Sequence, residues 1–314
     1  MASPLDVHLY VTPRCNLTCP HCYYDALDRG RPPDNLLPLD TIATVLNGLC
    51  ARFEADISLE GGEPFMRAGL GAMLAELPAE TLRCITITTN GTVRLAAPPE
   101  VLRRLGGLRV SIDGHTDELQ RELRGVELAP VLRTCALMNE LGLEFTARMT
   151  LWRRNIDELP AIYDWAVANS LTRLSFFEYQ SSGRGVGQEL LYGCAASQVT
   201  RLLDRLVDHP PPTPIRLVTL NLAERRVGEV LDRRDDFAQA GVLVEELPDT
   251  PNCTINFDGT VGISPWKVTS KGAPDVFTTV GEPDFLGVVE RAADQGRLRD
   301  ASQCLSRVQL RCEQ

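Results

Sequence analysis

Val7-His-Leu-Tyr-Val11-Thr-Pro-Arg-Cys15-Asn-Leu-Thr-Cys19-Pro-His-Cys22 decides how the rest of the chain is read. The apolar run Val7–Val11 reads as a first strand. It delivers the chain into a short loop whose three cysteines are separated by three residues and then by two. Soft thiolates at such short spacing suit an iron–sulfur cluster. Three of them hold three corners of a cube and leave the fourth iron free to bind something else. A structural zinc usually takes two distant pairs of close cysteines, and the sequence has no second close pair.

Beyond this loop, apolar runs and amphipathic stretches alternate. Strands are expected at 5–11, 55–60, 83–89, 108–113, 143–150 and 173–179, and helices at 39–53, 66–77, 98–105, 128–142 and 156–169, with Asp40 as a candidate N-cap. Strands separated by helices imply parallel βαβ units with right-handed crossovers. Six units predict an α/β fold, a partial (β/α)6 TIM-like barrel with its ligands at the carboxyl ends of the strands. The pattern weakens after Gly183, which divides the chain into a core over 1–183 and a smaller C-terminal region over 184–314. Within that region His209-Pro-Pro-Pro-Thr-Pro214 reads as a rigid linker. Cys253–Ile263 reads as a hairpin turning at Asp258-Gly259.

The 314 residues, 44% of them hydrophobic, suffice for one large domain and an appendage. The formal net charge of −10 argues against nucleic acid, whose phosphates need basic patches, and suits a cationic or neutral substrate. No secretion signal or membrane span is present. The 10 cysteines are therefore expected in a reducing cytoplasm, where they serve metals or catalysis more often than disulfides.

Several separated features, in the expected order across the first 180 residues, resemble the radical S-adenosylmethionine (radical SAM) superfamily. The Cys15/Cys19/Cys22 loop resembles its [4Fe-4S] loop. Gly61-Gly62-Glu63-Pro64 resembles the glycine-rich segment whose backbone meets the methionine amino group of S-adenosylmethionine; glycines allow close approach, and Glu63 can receive an ammonium. Thr88-Thr89-Asn90-Gly91 and Val110-Ser111-Ile-Asp113-Gly114 end the third and fourth strands. The resemblance brings Asn90, Ser111 and Asp113 to the cofactor, the last two at ribose hydroxyls, although such strings also serve as plain turns. Arg148 is assigned to the cofactor carboxylate or to a surface ion pair. Tyr23 and Tyr24 are placed near adenine. His21 is given no catalytic role. Glu178 and Gln180, at the sixth strand's end, are candidate substrate contacts. The chemistry implied is one-electron cleavage of S-adenosylmethionine, supplied by a flavodoxin- or ferredoxin-type reductant. The resulting 5′-deoxyadenosyl radical removes a substrate hydrogen.

Cys50, Cys84 and Cys135 read as small core hydrophobes. The C-terminal hairpin resembles the start of a SPASM/twitch domain, which holds an auxiliary [4Fe-4S] cluster. The expected cysteine after the hairpin is missing in Ile263-Ser-Pro-Trp-Lys267, so Cys304 and Cys312, with Cys194 or Cys253, are the candidate ligands. Alternatively, Cys253 is a hydrogen-atom donor that quenches a substrate radical with inversion. The chain then resembles the radical epimerases of aminoglycoside biosynthesis, of the neomycin type, acting on a cationic sugar. The cluster loop begins at residue 15, which leaves no room before it for a peptide-recognition domain and tilts the reading toward a small molecule. The other readings are a dehydrogenase or decarboxylase of a sugar-type metabolite, a peptide-modifying maturase, and a non-catalytic iron–sulfur scaffold.

Overall fold

The structure, a computed structural model, describes residues 2–27, 35–247, 249–272, 275–299 and 305–312. Six strands follow one another with helices between them: β1 (Pro4–Tyr10), β2 (Glu54–Glu60), β3 (Ile85–Thr89), β4 (Gly107–Ser111), β5 (Thr146–Leu151) and β6 (Arg173–Glu178). Each pairs in parallel with the next. Between them run α1 (Leu39–Arg52), α2 (Leu70–Glu76), α3 (Ala79–Arg83), α4 (Pro99–Leu102), α5 (Asp117–Arg124), α6 (Leu128–Glu140) and α7 (Leu159–Ala168). Helix α1 begins at Pro38, with Asp40 inside its first turn, so Asp40 complements the helix dipole instead of capping.

The expected boundary at 183 falls inside a continuous sheet. β7 (Arg216–Ala223) adds in parallel to β6, and β9 (Asn252–Ile255) adds in parallel to β1. β8 (Leu243–Glu246), β10 (Thr260–Gly262), β11 (Thr278–Thr279) and β12 (Leu305–Cys312) complete one sheet of order β11-β10-β9-β1-β2-β3-β4-β5-β6-β7-β12-β8. Residues from 184 onward thus extend both edges of the barrel. The hairpin is as expected: β9 and β10 are antiparallel, and Gly259 takes the left-handed conformation (φ 86°) that the turn needs.

A parallel sheet covered on both faces is normally apolar on both. These strands instead alternate. Leu5, Val7, Leu9, Ile57, Leu59, Ile85 and Ile87 are buried in the main hydrophobic core, beside Ile42, Leu46 and Leu49 of α1. Their neighbours Asp6, His8, Asp56, Ser58 and Thr86 face a cavity in the barrel lumen, together with Arg109, Thr146, Arg148 and Arg173 from β4 to β6. The core therefore lies between sheet and helices, and the lumen is a polar chamber.

The end of β2 is packed backbone to backbone on the loop after β1. Gly62 N donates to Thr12 O (2.7 Å) and Glu63 N to Arg14 O (2.8 Å). A Cβ at Gly62 would stand 2.1 Å from Arg14 O, and one at Gly61 2.5 Å from Thr12 O. Only glycine tolerates this approach. Gly62→Ala is expected to displace the cysteine loop, so that the reconstituted variant carries markedly less iron and sulfide and melts at a lower temperature than the parent. Full iron loading would refute this.

Candidate active site

The carboxyl ends of the barrel strands open into a cavity of about 1060 Å³. Cys15, Cys19 and Cys22 all line it, as do Gly61, Gly62, Asn90, Ser111 and Arg148. The cysteine loop is pinned at its base by Cys15 N to Leu27 O (2.9 Å) and Leu27 N to Pro13 O (2.8 Å). Its sulfurs collect N–H donors: Leu17 N on Cys15 Sγ (3.4 Å), Ala26 N on Cys22 Sγ (3.5 Å) and Asn90 Nδ2 on Cys15 Sγ (3.6 Å). Such donors favour the thiolate. Burial pushes the Cys15 thiol up, and it pushes Cys19 up to about 12 against the opposing charge of Arg124. Without metal these groups are thiols, and metal binding displaces their protons. No three His, Cys, Asp or Glu side chains among the described residues converge at single-ion distance. A cubane, whose cysteine sulfurs stand further apart than the ligands of one ion, does not require that.

Asp113 is the fixed point of the opposite wall. Its carboxylate accepts from Arg124 Nε (2.6 Å) and Thr150 N (2.7 Å) and pairs with His21 Nε2 (3.0 Å). It thereby ties α5, β5 and the cysteine loop together. Burial pushes its carboxyl up, but Arg124 and His21 outweigh this and hold it far below the usual carboxylate range. Glu60 makes a second polar knot on the cavity wall. It accepts from Tyr23 Oη (2.5 Å) and Thr88 Oγ1 (3.3 Å), and it lies 3.4 Å from His8 Nδ1 and 3.7 Å from Arg148 Nη1. Burial raises this carboxyl, and the bond and charge of His8, then Arg148 and Tyr23, bring it down to about 2. The Arg148 guanidinium also lies over the Phe177 ring, 4.0 Å from its centroid.

Residues 9–166, from β1 to within α7, match the Radical SAM superfamily. The chain belongs to the radical SAM superfamily. Its members use a [4Fe-4S] cluster and S-adenosylmethionine. Similar curated proteins include Fe-coproporphyrin III synthase of Methanosarcina barkeri, 30% identical over 62% of this chain and 50% of that protein. GTP 3',8-cyclase 2 of Pseudomonas aeruginosa is 29% identical over 63% of this chain and 61% of that protein. The chain thus spans between half and two thirds of the length of these relatives. Among solved structures, Streptococcus suis SuiB bound to precursor peptide SuiA superposes with a TM-score of 0.69 at 16% identity, over 92% of this chain and 65% of that one. Native anSMEcpe with bound AdoMet gives 0.62 at 15%, over 93% and 83%. At these identities the likeness is one of fold.

The residues present fit the radical SAM cofactors. The cysteine triad, the glycine pair and Arg148 share one cavity. Two buried atoms in its wall residues, His21 Nδ1 and Arg184 Nη2, have no hydrogen-bond partner among the described residues and are open to a ligand in the cavity. Other expected site residues are differently employed. Glu63 is fully buried, and its carboxylate is held by Asn90 N (2.7 Å), Thr89 Oγ1 (2.8 Å) and Phe65 N (3.2 Å). It braces the end of β3 and is not among the side chains that line the cavity. Asp113 and Ser111 both line the cavity; Asp113 braces the wall through three partners. Tyr24 is stacked on Tyr10 (4.2 Å, 7°) and donates to Asn256 Oδ1 (2.8 Å), so it locks the cysteine loop to the C-terminal hairpin. Glu178 lies at the cavity, but its carboxylate accepts from Ala223 N (2.9 Å) and Arg225 Nη2 (2.6 Å); Gln180 donates to Glu178 O (3.0 Å).

The C-terminal cysteines do not assemble. Cys253 pairs in register with Val7, whose neighbours Asp6 and His8 face the lumen. Cys253 therefore points to the apolar side and is fully buried there. A thiol there can neither quench a radical in the lumen nor join a cluster at the cavity. Cys312 sits beside Leu217 at the start of β7. Cys194 Sγ lies 3.5 Å from Leu151 O at the far end of β5. The two are separated by nearly a strand length, roughly 15–20 Å, too far to share a cluster. Cys304 lies outside the described residues.

Glu60 and Arg124 were not expected. Glu60 could have been found from inward parity, because Asp56, Ser58 and Glu60 lie on one face of β2. Arg124 ends α5, whose signals are Thr116 as N-cap, acids in the first turn and left-handed Gly125 (φ 67°) at the end. Because the Glu60 carboxyl is depressed, its contribution to stability is present above the ordinary value of 4.5 and is lost as pH falls toward about 2. Urea midpoints measured over that window should fall less in Glu60→Gln than in the parent; equal slopes would refute the assignment. Asp113→Ala should cost about 3–5 kcal/mol in denaturant unfolding, because it leaves the Arg124 charge unpaired; a loss below 1 kcal/mol would refute its bracing role.

Proposed function

We propose that this radical SAM chain acts on a small polar molecule held in the barrel lumen, removing a hydrogen atom from one of its carbons. One observation carries the reading: the cavity with the cysteine triad and the lumen chamber share Arg148, Phe177 and Trp266 as a common partition. When bound, the cluster and S-adenosylmethionine supply a reductively generated carbon radical that can attack an unactivated C–H bond. The chain's own residues do the rest. Gly61 and Gly62 leave backbone free of side chains at the cavity edge. Arg148, steadied by Phe177 and Glu60, offers a guanidinium to the cofactor carboxylate. The Tyr23 ring, 5.5 Å from that of Trp266, and the stacked Tyr10–Tyr24 pair exclude water beside the cluster loop.

An aminoglycoside epimerase that relies on Cys253 loses its donor to the outer face of the sheet, and a dehydrogenase or decarboxylase whose auxiliary cluster is ligated by Cys253 loses that ligand. The reaction following hydrogen abstraction is therefore assigned to none of Cys194, Cys253 and Cys312. The names of the relatives, an Fe-coproporphyrin III synthase and a GTP 3',8-cyclase, support a core that serves chemically unlike molecules.

Anaerobically reconstituted protein with dithionite should form 5′-deoxyadenosine and methionine and show a cluster paramagnetic signal that S-adenosylmethionine perturbs. Alanine at Cys15, Cys19 and Cys22 together should abolish both. Arg148→Met should weaken S-adenosylmethionine binding about tenfold. Cys253→Ala should keep iron content and cofactor cleavage, at about 1–2 kcal/mol of stability. Cleavage that survives without the three cysteines would overturn the proposal.

A further inference from the structure

The lumen chamber, about 1470 Å³ and open toward the amino ends of the strands, has a division of charge that the cofactor chemistry does not use. One wall carries Asp6 and Asp56, register partners on β1 and β2. The opposing wall carries Arg109, Arg148 and Arg173 from β4, β5 and β6. Neither aspartate carboxylate makes a hydrogen bond or an ion pair with any described residue, and neither does the Arg173 guanidinium. Arg109 reaches only Ser58 Oγ (3.2 Å). Side chains of like charge thus stand side by side, Asp6 half-buried inside the chamber and Asp56 exposed at its mouth, and repulsion is least screened at the half-buried groups. The effect is visible on both walls. Burial and then Asp56 push the Asp6 carboxyl up, while burial and then the Arg148 charge push the Arg109 guanidinium down. A barrel interior meant only for packing would be filled with branched apolar side chains.

We propose that the chamber is the substrate site and selects a small zwitterion, with its ammonium toward Asp6 and Asp56 and its carboxylate or phosphate toward Arg109 and Arg173. The ligand then adds to the partial counter-charge that His8 gives Asp6 and that Glu60 and Asp56 give Arg109, and it supplies Arg173 with a partner; a ligand with only one charge does this on one side only. Arg148, Phe177 and Trp266 line both this chamber and the cofactor cavity, so the carbon of the zwitterion that reaches the junction they share is the one presented to the radical. This assignment deepens the proposed function and rests on it.

The test uses full-length protein, anaerobically reconstituted with cluster and S-adenosylmethionine. The probes are ω-amino acids from glycine to 6-aminohexanoate, ω-aminoalkyl phosphates of the same lengths, and hexanoate, hexyl phosphate and hexylamine as singly charged controls. Binding is read by saturation-transfer NMR and calorimetry. A zwitterion of one preferred length should bind at least tenfold more tightly than any control; the phosphate and carboxylate arms decide which anion fits. Arg173→Gln and Asp6→Asn should each remove most of that preference while keeping the parent's circular dichroism and cluster content. Their losses should differ in kind: Arg173→Gln retains hexylamine binding, and Asp6→Asn retains hexanoate binding. Where a variant fails to fold, Arg109→Lys and Asp56→Glu, which keep charge but move it, should shift the preferred length. No preference over the controls in parent protein that cleaves S-adenosylmethionine overturns this inference alone. Parent protein that does not cleave the cofactor overturns the reading on which it rests. A peptide that binds the chamber while the small zwitterions do not also overturns it.

Discussion

The backbone contact between Gly61-Gly62 and the loop after β1 is the constraint on which the site depends. Two main-chain hydrogen bonds and the absence of any Cβ bring β2 close enough for the cysteine loop to sit over the strand ends. With the loop fixed there, Asn90 can donate to Cys15 and His21 can reach Asp113. Asp113 then links loop, helix α5 and β5 through one carboxylate. The cysteines are placed by this chain of contacts more than by their own spacing, which says which atoms bind but not where they stand.

The second organising feature is the inversion of polarity across the sheet. Apolar side chains on one face bury against helices, and polar ones on the other line an interior that is spacious and charged. Radical chemistry needs such a division. The helical side supplies rigidity, and in the proposed function the lumen supplies a shielded space for a polar molecule beside the cofactor cavity. The relatives, whose names concern chemically unlike molecules, fit a scaffold whose specificity lies in inward-facing positions that change without disturbing the core.

Much of this could be read from the sequence. The six core strands lie within a few residues of their expected positions, because long apolar periodicity is a local signal. The cysteine loop and the glycine pair were readable because both depend on residue type at fixed spacing. Charged helix α5 escaped notice: only Leu119, Gln120 and Leu123 of its eight residues are buried, and its start and stop signals are its clearest marks. The roles of Glu63, Asp113 and Glu178 could not be read, since each is decided by partners far along the chain. Cys253 shows the limit most plainly. Its hairpin was evident, but the face it presents depends on register against Val7, a strand contributed from the opposite end of the chain.

That pairing of first and last has a consequence for biogenesis. Tyr24 is held by Asn256 and Ser270, Tyr23 packs on Trp266, and β1 gains its outer neighbour only from β9. While the chain is being made, the cysteine loop leaves the ribosome more than two hundred residues before the segment that clamps it. Until then the three thiols stand uncovered, open both to iron delivery and to oxidation.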